Sequence, residues 1–223
     1  MKIIECTQGD PAWVNARLGI PTASEFDALI TPKFEMRTGQ MPTTYLYDKL
    51  AEKVLGFSTQ DASSFQMQQG SILEHEAIPW LAFAHDVKIN RVGFCTTDDS
   101  RIGCSPDGLI GDDGGVEVKC PSPAIHMKYL MEGGVPPQYL CQVHGSLLVT
   151  GRKWWKFVSY SRQFPALVVH VDRDDRIIGA MQHTLDHFLK RFDEALAQIT
   201  AMRAAENAVK NAAYEKSVAE GRA

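Results

Sequence analysis

Two carboxylates and a lysine stand where two apolar runs of the sequence meet a glycine- and aspartate-rich turn at residues 111–115. Asp107 closes the first run, and Glu117 and Lys119 lie two positions apart in the second. Because alternate residues of a strand share a face, the pattern predicts a β-hairpin with Glu117 and Lys119 on one face and Val118 on the other. Carboxylates bind hard divalent ions such as Mg²⁺, and an ammonium group can position water or stabilise a developing anion. The predicted chemistry is metal-assisted hydrolysis at the mouth of a hairpin.

Each part of this pattern also has a purely structural interpretation. Ser-Pro-Asp-Gly at 105–108 has the composition of an ordinary turn, and a Glu-x-Lys strand face is commonly a solvated ion pair. The combination of Pro-Asp at 106–107 with Glu-Val-Lys at 117–119 resembles the signature of the PD-(D/E)xK nuclease superfamily. Its position between two helix-forming segments favours the catalytic interpretation.

The composition is that of a globular chain. Its 223 residues can bury a substantial core and suit one domain with a tail, and 44% hydrophobic and 22% charged residues are ordinary values. No apolar run approaches the ~20 residues that span a bilayer, so we expect no membrane association. The five cysteines include no C-x-x-C pair, which suits reduced cytoplasmic thiols rather than a disulfide scaffold or a zinc ribbon. The net charge of −4 requires any nucleic-acid contact to be concentrated in a local basic groove.

The first thirty residues predict two short helices separated by Gly-Ile-Pro at 19–21. Thr22 and Glu25 fit a capping box, with Thr22 as the N-cap. Because a helix N-terminus carries free N–H groups that attract anions, Arg17 and the hydroxyl of Ser24 could complete a phosphate seat there. Helix capping alone would also explain Thr22 and Glu25.

The remaining periodicity predicts further helices and strands along the chain. The predicted helices cover residues 43–55, 65–85, about 122–131, 138–150 and a long stretch from about 174. The predicted strands, besides the hairpin, cover 87–97, 154–160 and 167–171. Gly70 and Pro79 predict a kink or break in the second of these helices. The expected architecture is α/β, a small mixed β-sheet flanked by helices with a long C-terminal helix.

Five motifs in register extend the resemblance beyond the superfamily signature. They occupy residues 17–25, 70–74, 104–109, 117–121 and 142–143. Together they resemble the phage lambda exonuclease-like family, the YqaJ-type viral recombinase or alkaline exonuclease group, from about residue 5 to about residue 199. The resemblance implies a restriction-endonuclease-like core in a single exonuclease domain at 1–199. Residues 200–223 have no counterpart in the family, and their alanine- and charge-rich composition predicts a helical tail.

The resemblance implies an activity as well as a fold. Members of the family are processive 5′→3′ exonucleases that degrade one strand of a duplex DNA end and leave a 3′ overhang for a phage single-strand annealing protein. The expected cofactor is Mg²⁺, with two ions per site and Mn²⁺ able to substitute. The expected assembly is a ring-shaped homotrimer acting on 5′-phosphorylated ends, encoded by a phage or prophage and located in the cytoplasm of a bacterial host.

The resemblance also implies roles for individual residues. Three oxygen donors would hold the metal ions: Asp107, Glu117 and the main-chain carbonyl of Val118. Lys119 would assist the attacking water, and Glu74 and Gln142 would complete the catalytic shell. Four residues would contact DNA: Arg17 and Ser24 in a 5′-phosphate pocket, Lys33 in the loop at 31–42, and Met67 as an apolar wedge between terminal base pairs. A basic position of the family falls on Ile125, with His126 as the nearest polar substitute.

Three other interpretations stay open at the level of sequence. A single-strand nuclease of the RecB type would need four cluster cysteines, yet no cysteine follows Cys141. An endonuclease of the same superfamily would cut a plasmid without free ends. A non-catalytic DNA-end binding protein would have lost its metal ligands, yet Asp107, Glu117 and Lys119 are all present.

Overall fold

The computed structural model describes residues 1–58 and 65–219, with side chains described at 1–58 and 73–211. The α-helices of this part of the chain are α1 (Pro11–Arg17), α2 (Gln40–Leu55), α3 (Phe65–Ala84), α4 (Pro123–Glu132), α5 (Pro137–Thr150) and α6 (Asp175–Ala219), and a short 3₁₀ helix spans Ala23–Ala28. The strands are β1 (Lys2–Ile4), β2 (Ile89–Asn90), β3 (Phe94–Thr96), β4 (Gly103–Cys104), β5 (Gly108–Ile110), β6 (Gly114–Lys119), β7 (Trp154–Ser159) and β8 (Leu167–Asp172). Within these described ranges, no helix combines the length and the apolar character that crossing a membrane requires.

Five strands form the central sheet in the order β2-β5-β6-β7-β8. β6 and β7 run parallel, whereas the other neighbouring pairs are antiparallel. A second, three-stranded sheet has the order β1-β3-β4. The predicted mixed sheet flanked by helices is confirmed, as are the hairpin and the pairing of the last two strands.

The central strand β6 presents different chemistry on its two faces. Val116 and Val118 pack with Ala77 and Ile78 of α3 on one face. Glu117 is 2% exposed and accepts a hydrogen bond from α5 on the other. This alternation is the one that the sequence predicts, since residues two apart in a strand share a face.

The turn between β5 and β6 is held by groups at the start of β7. The guanidinium of Arg152, just before that strand, donates from Nη1 to the carbonyl of Gly114 at 2.7 Å. The rings of Trp154 and Trp155 fill the space where a Cβ of Gly114 or Gly115 would stand, 2.1 and 2.3 Å from the nearest ring carbon. Glycine is therefore required at both positions by close approach, and the hairpin is fixed against β7.

Helix α5 lies across the other face of the sheet and packs on the 3₁₀ helix. Gly145 permits this contact, because a Cβ there would lie 2.6 Å from the ring of Phe26. Phe26 and Leu147 are both fully buried in the main core. The packing places Ser24 of the 3₁₀ helix on the same side of the molecule as Gln142 of α5.

Two segments differ from the prediction. α3 continues through Pro79 without a break, because the burial of its apolar face, including Ala77 and Leu81 at 0% exposure, offsets the lost main-chain hydrogen bond. The predicted strand 87–97 is split into β2 and β3, which belong to different sheets. The chain turns between them at Gly93, where a Cβ would lie 2.0 Å from the carbonyl oxygen of Cys6.

The predicted capping box is only partly formed. Thr22 is the N-cap of the 3₁₀ helix, but its side chain makes no capping hydrogen bond to the main chain. Its hydroxyl instead donates to the carboxylate of Glu25 at 3.0 Å. A 3₁₀ helix of six residues has a small dipole, so a phosphate seat here would depend on side chains rather than on the helix terminus.

Candidate active site

Asp107 and Glu117 face each other where the β5–β6 ladder ends. The last paired residues are Gly108 and Val116, and the continuing register places Asp107 opposite Glu117. Both carboxylates are buried, with 7% and 2% exposure. The main-chain N–H of Val118, left without a strand partner on this edge, donates to Asp107 Oδ2 at 2.6 Å.

The main-chain carbonyl of Val118 is directed to the same edge. The carbonyl of Lys119 accepts from the N–H of Tyr160 at 2.9 Å, so the main-chain groups of Lys119 face β7. Successive strand residues direct these groups to opposite edges, and those of Val118 therefore face Asp107. Two carboxylates and one carbonyl thus converge on one point.

Glu117 is held by neighbours on one of its oxygens and not on the other. Oε1 accepts from Lys119 Nζ at 2.7 Å and from Gln142 Nε2 at 2.5 Å. Oε2 is buried, and no group among the described residues hydrogen-bonds to it. A buried carboxylate oxygen without a partner is costly, so its presence beside Asp107 fits a cation ligand.

The electrostatics of the cleft favour an added cation. Burial, and then the neighbouring Glu117 and Glu74, raise the pKa of Asp107 well above its ordinary value. Burial also raises the pKa of Glu117, although Lys119 opposes this. Burial alone would lower the pKa of Lys119, but Glu117 and Asp107 raise it above its ordinary value. A cation at this point would relieve the cost of two buried negative charges.

Glu74 lies beside the cleft rather than in it. Its Oε1 accepts from Arg91 Nη2 at 2.9 Å, and Arg91 Nη1 lies 3.0 Å from His75 Nδ1. These three residues line a neighbouring cavity of about 370 Å³, and Gln8 borders both spaces. Among the described residues no three His, Cys, Asp or Glu side chains are grouped as a ready metal site. The candidate cation site therefore consists of two carboxylates and the main-chain carbonyl of Val118.

Arg17 occupies the opposite end of the same cleft. Its Nη1 donates to Ser105 Oγ at 2.9 Å and its Nη2 to Thr22 Oγ1 at 3.3 Å. The guanidinium lies over the ring of Trp13 at 4.4 Å, and Ser24 Oγ lies 3.2 Å from Thr22 Oγ1. Burial lowers the pKa of Arg17, although Glu25 opposes this. In the described part of the chain no carboxylate is within ion-pair distance of Arg17, although Glu25 and Glu52 act on it at longer range, so its guanidinium is available for direct contact with an anion.

One cleft of about 190 Å³ joins these groups. Its lining includes six of the residues that the sequence singles out: Arg17, Ser24, Asp107, Glu117, Lys119 and Gln142. The guanidinium of Arg17 and two buried carboxylates, for which Lys119 is the one ion-pair partner among the described residues, thus share one space. The arrangement can bind a group that carries a terminal phosphate and an adjacent metal-bound phosphate.

Other predicted residues lie elsewhere. Lys33 is exposed in the loop before α2, and the side chain of Met67 lies outside the described residues. His126, the polar residue nearest to Ile125, is fully buried and hydrogen-bonded to Ser159 Oγ at 2.7 Å, so it does not replace the basic residue of the family. The apolar environment of α4 and β7 explains this placement, which the sequence around Ile125 does not reveal.

The structure adds residues that the sequence analysis missed. Ser105 and Trp13 line the cleft beside Arg17, and Arg91 holds Glu74. The position of Ser105 inside the Cys-Ser-Pro-Asp motif was a usable signal. Arg91 had none, because its partner lies 17 residues away on another element.

Comparison with known proteins identifies related chains. The model of the YqaJ-like viral recombinase domain family matches residues 12–153, which contain every residue lining the cleft except Gln8. The uncharacterised protein ExoD of Escherichia coli (strain K12) is 27% identical over 78 residues, 33% of this chain and 90% of that protein.

Solved structures include close matches to the fold. The alkaline exonuclease LHK-Exo from Laribacter hongkongensis is 27% identical, with a TM-score of 0.79 over 88% of this chain and 99% of that one. The values are the same for LHK-Exo in complex with dAMP. A phage-related exonuclease from Haemophilus somnus 129PT shares the fold at 13% identity, with a TM-score of 0.60 over 81% of this chain and 96% of that one. The predicted PD-(D/E)xK-type fold is confirmed.

Proposed function

We propose, given that the chain belongs to the YqaJ-like viral recombinase family, that it is a metal-dependent exonuclease that degrades one strand of duplex DNA from its 5′ end. Its similarity to the alkaline exonuclease LHK-Exo supports DNA as the substrate and recombination as the context. The observation that carries the proposal is one cleft in which Arg17 forms no ion pair with any described residue, while the buried carboxylates of Asp107 and Glu117 share the single positive charge of Lys119.

Mg²⁺ is the cofactor that this donor set fits best. Asp107, Glu117 and the carbonyl of Val118 offer only oxygen atoms, which Mg²⁺ and Mn²⁺ prefer. The partnerless Oε2 of Glu117 supports the same assignment. When bound, one or two such ions supply charge neutralisation at a phosphodiester and a more acidic bound water. The protein's contribution is to hold the ligands rigidly on adjacent strands.

The other residues of the cleft orient the metal ligands and adjust the charge around them. The ammonium of Lys119, held 2.7 Å from Glu117 Oε1, places a positive charge beside the reacting phosphate and the attacking water. Gln142 fixes Glu117 Oε1 through its amide. Glu74, steadied by Arg91, adds negative charge that both Asp107 and Glu117 experience.

A 5′-phosphate fits the other end of the cleft. Ser105 Oγ accepts from Arg17 Nη1 and from Trp13 Nε1, which uses both lone pairs and leaves its proton for a ligand. Arg17, Ser24 and Ser105 can therefore all donate to a terminal phosphate. Anchoring that phosphate beside the metal ligands places the first phosphodiester at the site, which gives the 5′→3′ polarity and mononucleotide products.

The decisive assay uses linear duplex DNA labelled at either end, with 5′-phosphate or 5′-hydroxyl termini, with Mg²⁺ or with EDTA. We expect Mg²⁺-dependent release of 5′-mononucleotides, and Asp107→Ala or Glu117→Ala should reduce the rate by about 10³-fold. Arg17→Ala should reduce the preference for phosphorylated ends by about 10- to 100-fold. Release of nucleotides from the 3′ end, or cleavage of a closed supercoiled plasmid, would contradict the proposal. Duplex-end binding without hydrolysis would instead indicate a DNA-end binding protein.

The proposed assembly is a homotrimeric ring around DNA that hands its single-stranded product to a phage annealing protein in a bacterial cytoplasm. A chain of net charge −4 has little long-range attraction to DNA, so enclosure would sustain processivity better than a surface groove. Three basic residues are candidates for the channel lining: Lys33, Arg37 and Lys128. Light scattering should give about three times the chain mass of 24.8 kDa. A processive monomer would contradict the ring.

A further inference from the structure

A buried polar network lies directly behind the phosphate end of the cleft. Glu25 Oε2 accepts hydrogen bonds from Thr22 Oγ1 at 3.0 Å and from Tyr45 Oη at 3.2 Å, and it forms an ion pair with Lys49 Nζ at 3.2 Å. Thr22 and Lys49 are 1% and 6% exposed, and the side chain of Glu25 is partly buried, with 32% exposure. Charged and polar groups at this depth are costly unless each is fully partnered, so their arrangement is well determined.

The network fixes the direction of the hydrogen bonds that reach Arg17. A threonine hydroxyl has one proton, and that of Thr22 is donated to Glu25. Thr22 Oγ1 can then only accept, from Arg17 Nη2 at 3.3 Å and, as long as no phosphate takes the Ser24 proton, from the hydroxyl of Ser24 at 3.2 Å. Glu25 therefore orients both groups that would contact the terminal phosphate, although it contacts neither of them.

The network also keeps Glu25 from neutralising Arg17. Lys49 lies between Glu25 and Glu52, at 3.2 and 3.1 Å. Glu52 Oε2 in turn accepts from the main-chain N–H of Gly19, in the turn that follows Arg17. Glu25 and Glu52 share the charge of Lys49 and also act on Arg17 at longer range, but neither carboxylate is within ion-pair distance of the guanidinium, which is left for direct contact with a ligand anion.

We propose that Glu25 is a positioning residue for recognition of the 5′-phosphate, acting through the hydroxyl of Thr22 and balanced by Lys49. The inference rests on the proposed function, and it adds the residues that determine how strongly the cleft distinguishes a 5′-phosphate from a 5′-hydroxyl. The quantity that reports it is the ratio of kcat/KM for phosphorylated ends to kcat/KM for hydroxyl ends.

The test compares Thr22→Val, Thr22→Ser and Glu25→Gln with wild type, using full-length protein and Mg²⁺. Thr22→Val preserves the shape but removes the hydroxyl, and we expect the ratio to fall by about three- to tenfold, the effect of one hydrogen bond. The loss should be a rise in KM for phosphorylated ends alone. Thr22→Ser restores the hydroxyl and should restore the ratio. Glu25→Gln weakens the acceptor and should give an intermediate ratio.

A matched control and Arg17→Ala separate the outcomes. Thr184→Val removes another buried hydroxyl, in α6, and should leave the ratio unchanged. If Thr22→Val lowers activity equally on both kinds of end, together with its melting temperature, the network is merely structural and the inference is overturned. If Thr22→Val and Glu25→Gln keep the ratio while Arg17→Ala abolishes it, this inference alone fails. If Arg17→Ala keeps the ratio, the proposed phosphate pocket itself fails.

Discussion

Without metal, neutralising Asp107 should stabilise the protein while destroying its activity. The register places Asp107 opposite Glu117, and such cross-strand pairs lie about 5 Å apart. Two charges at that distance repel by roughly 3 kcal/mol at an effective dielectric constant of 20. The attraction between Asp107 and Lys119 offsets part of this repulsion, and an asparagine at position 107 would lose that attraction. The asparagine could still accept the hydrogen bond from the N–H of Val118. We therefore expect Asp107→Asn to raise the free energy of unfolding by about 1–2 kcal/mol, or the melting temperature by about 3–6 °C.

The pH dependence of this effect follows from the direction of the pKa shift. The pKa of Asp107 is higher in the folded state than its ordinary value of 3.8, because of burial and then Glu117. Ionisation of Asp107 therefore lowers the free energy of unfolding as pH rises above the ordinary pKa. The loss is largest once pH exceeds the raised pKa of the folded state, and it is small below the ordinary pKa. The advantage of Asp107→Asn should be small near pH 4 and largest near pH 8.

The measurement is thermal or urea unfolding in EDTA and in Mg²⁺ at several pH values. Wild type should gain stability from Mg²⁺ in proportion to its occupancy, whereas Asp107→Asn should not. The control is Asp113→Asn in the same hairpin, whose exposed pair with Lys153 at 3.0 Å should contribute less than about 1 kcal/mol. An Asp107→Asn protein that is less stable than wild type in EDTA at pH 8 would refute the electrostatic argument.

Two further predictions concern Lys119 and the C-terminal tail. Lys119→Met should reduce the rate of single-turnover cleavage by about 10²-fold, because the ammonium neutralises charge at the phosphate. Mg²⁺ should still raise the melting temperature of this variant, because Lys119 is not a metal ligand. Loss of DNA binding with an unchanged cleavage rate would contradict this role. Truncation after Ala201 should keep exonuclease activity within about twofold of wild type. The reason is that the hydrogen bond from Arg203 Nη1 to the Val54 carbonyl, at 3.3 Å, is exposed and holds the tail against the domain only weakly. A truncated protein that is folded but inactive would show that the tail is required.

The sequence predicted the parts of the site that local pattern determines. The hairpin, the facing of Glu117 and Lys119, and the strand pair after α5 follow from alternation and turn composition, and the structure confirms them. The convergence of Arg17 and Ser24 with the carboxylates was expected only from the family resemblance, because nothing in their spacing brings residues 80 positions apart together.

Other features depend on tertiary contacts that leave no local pattern. The partner of Glu74 is Arg91, from the turn after a two-residue strand that no periodicity identifies. His126 looks like a surface substitute in the sequence but is buried, because the β7 hydroxyl of Ser159 satisfies its ring. Proline within α3 predicted a break, yet burial against the sheet kept the helix continuous.

The two tryptophans at the start of β7 have a mechanical consequence for the catalytic strand. A strand that slips by one residue against its neighbour turns every side chain to the opposite face, and β6 is paired with β7 in parallel. The two indole rings prevent this slip, because only glycine leaves room for the ring opposite it. Gly114 and Gly115 lie opposite Trp154 and Trp155, and a shift by one residue would place a residue with a side chain against one of the rings. The alignment of Glu117 is thus enforced about 10 Å along the strand from where it is used. A side chain introduced at Gly115 would damage the chemistry without touching any group in the cleft.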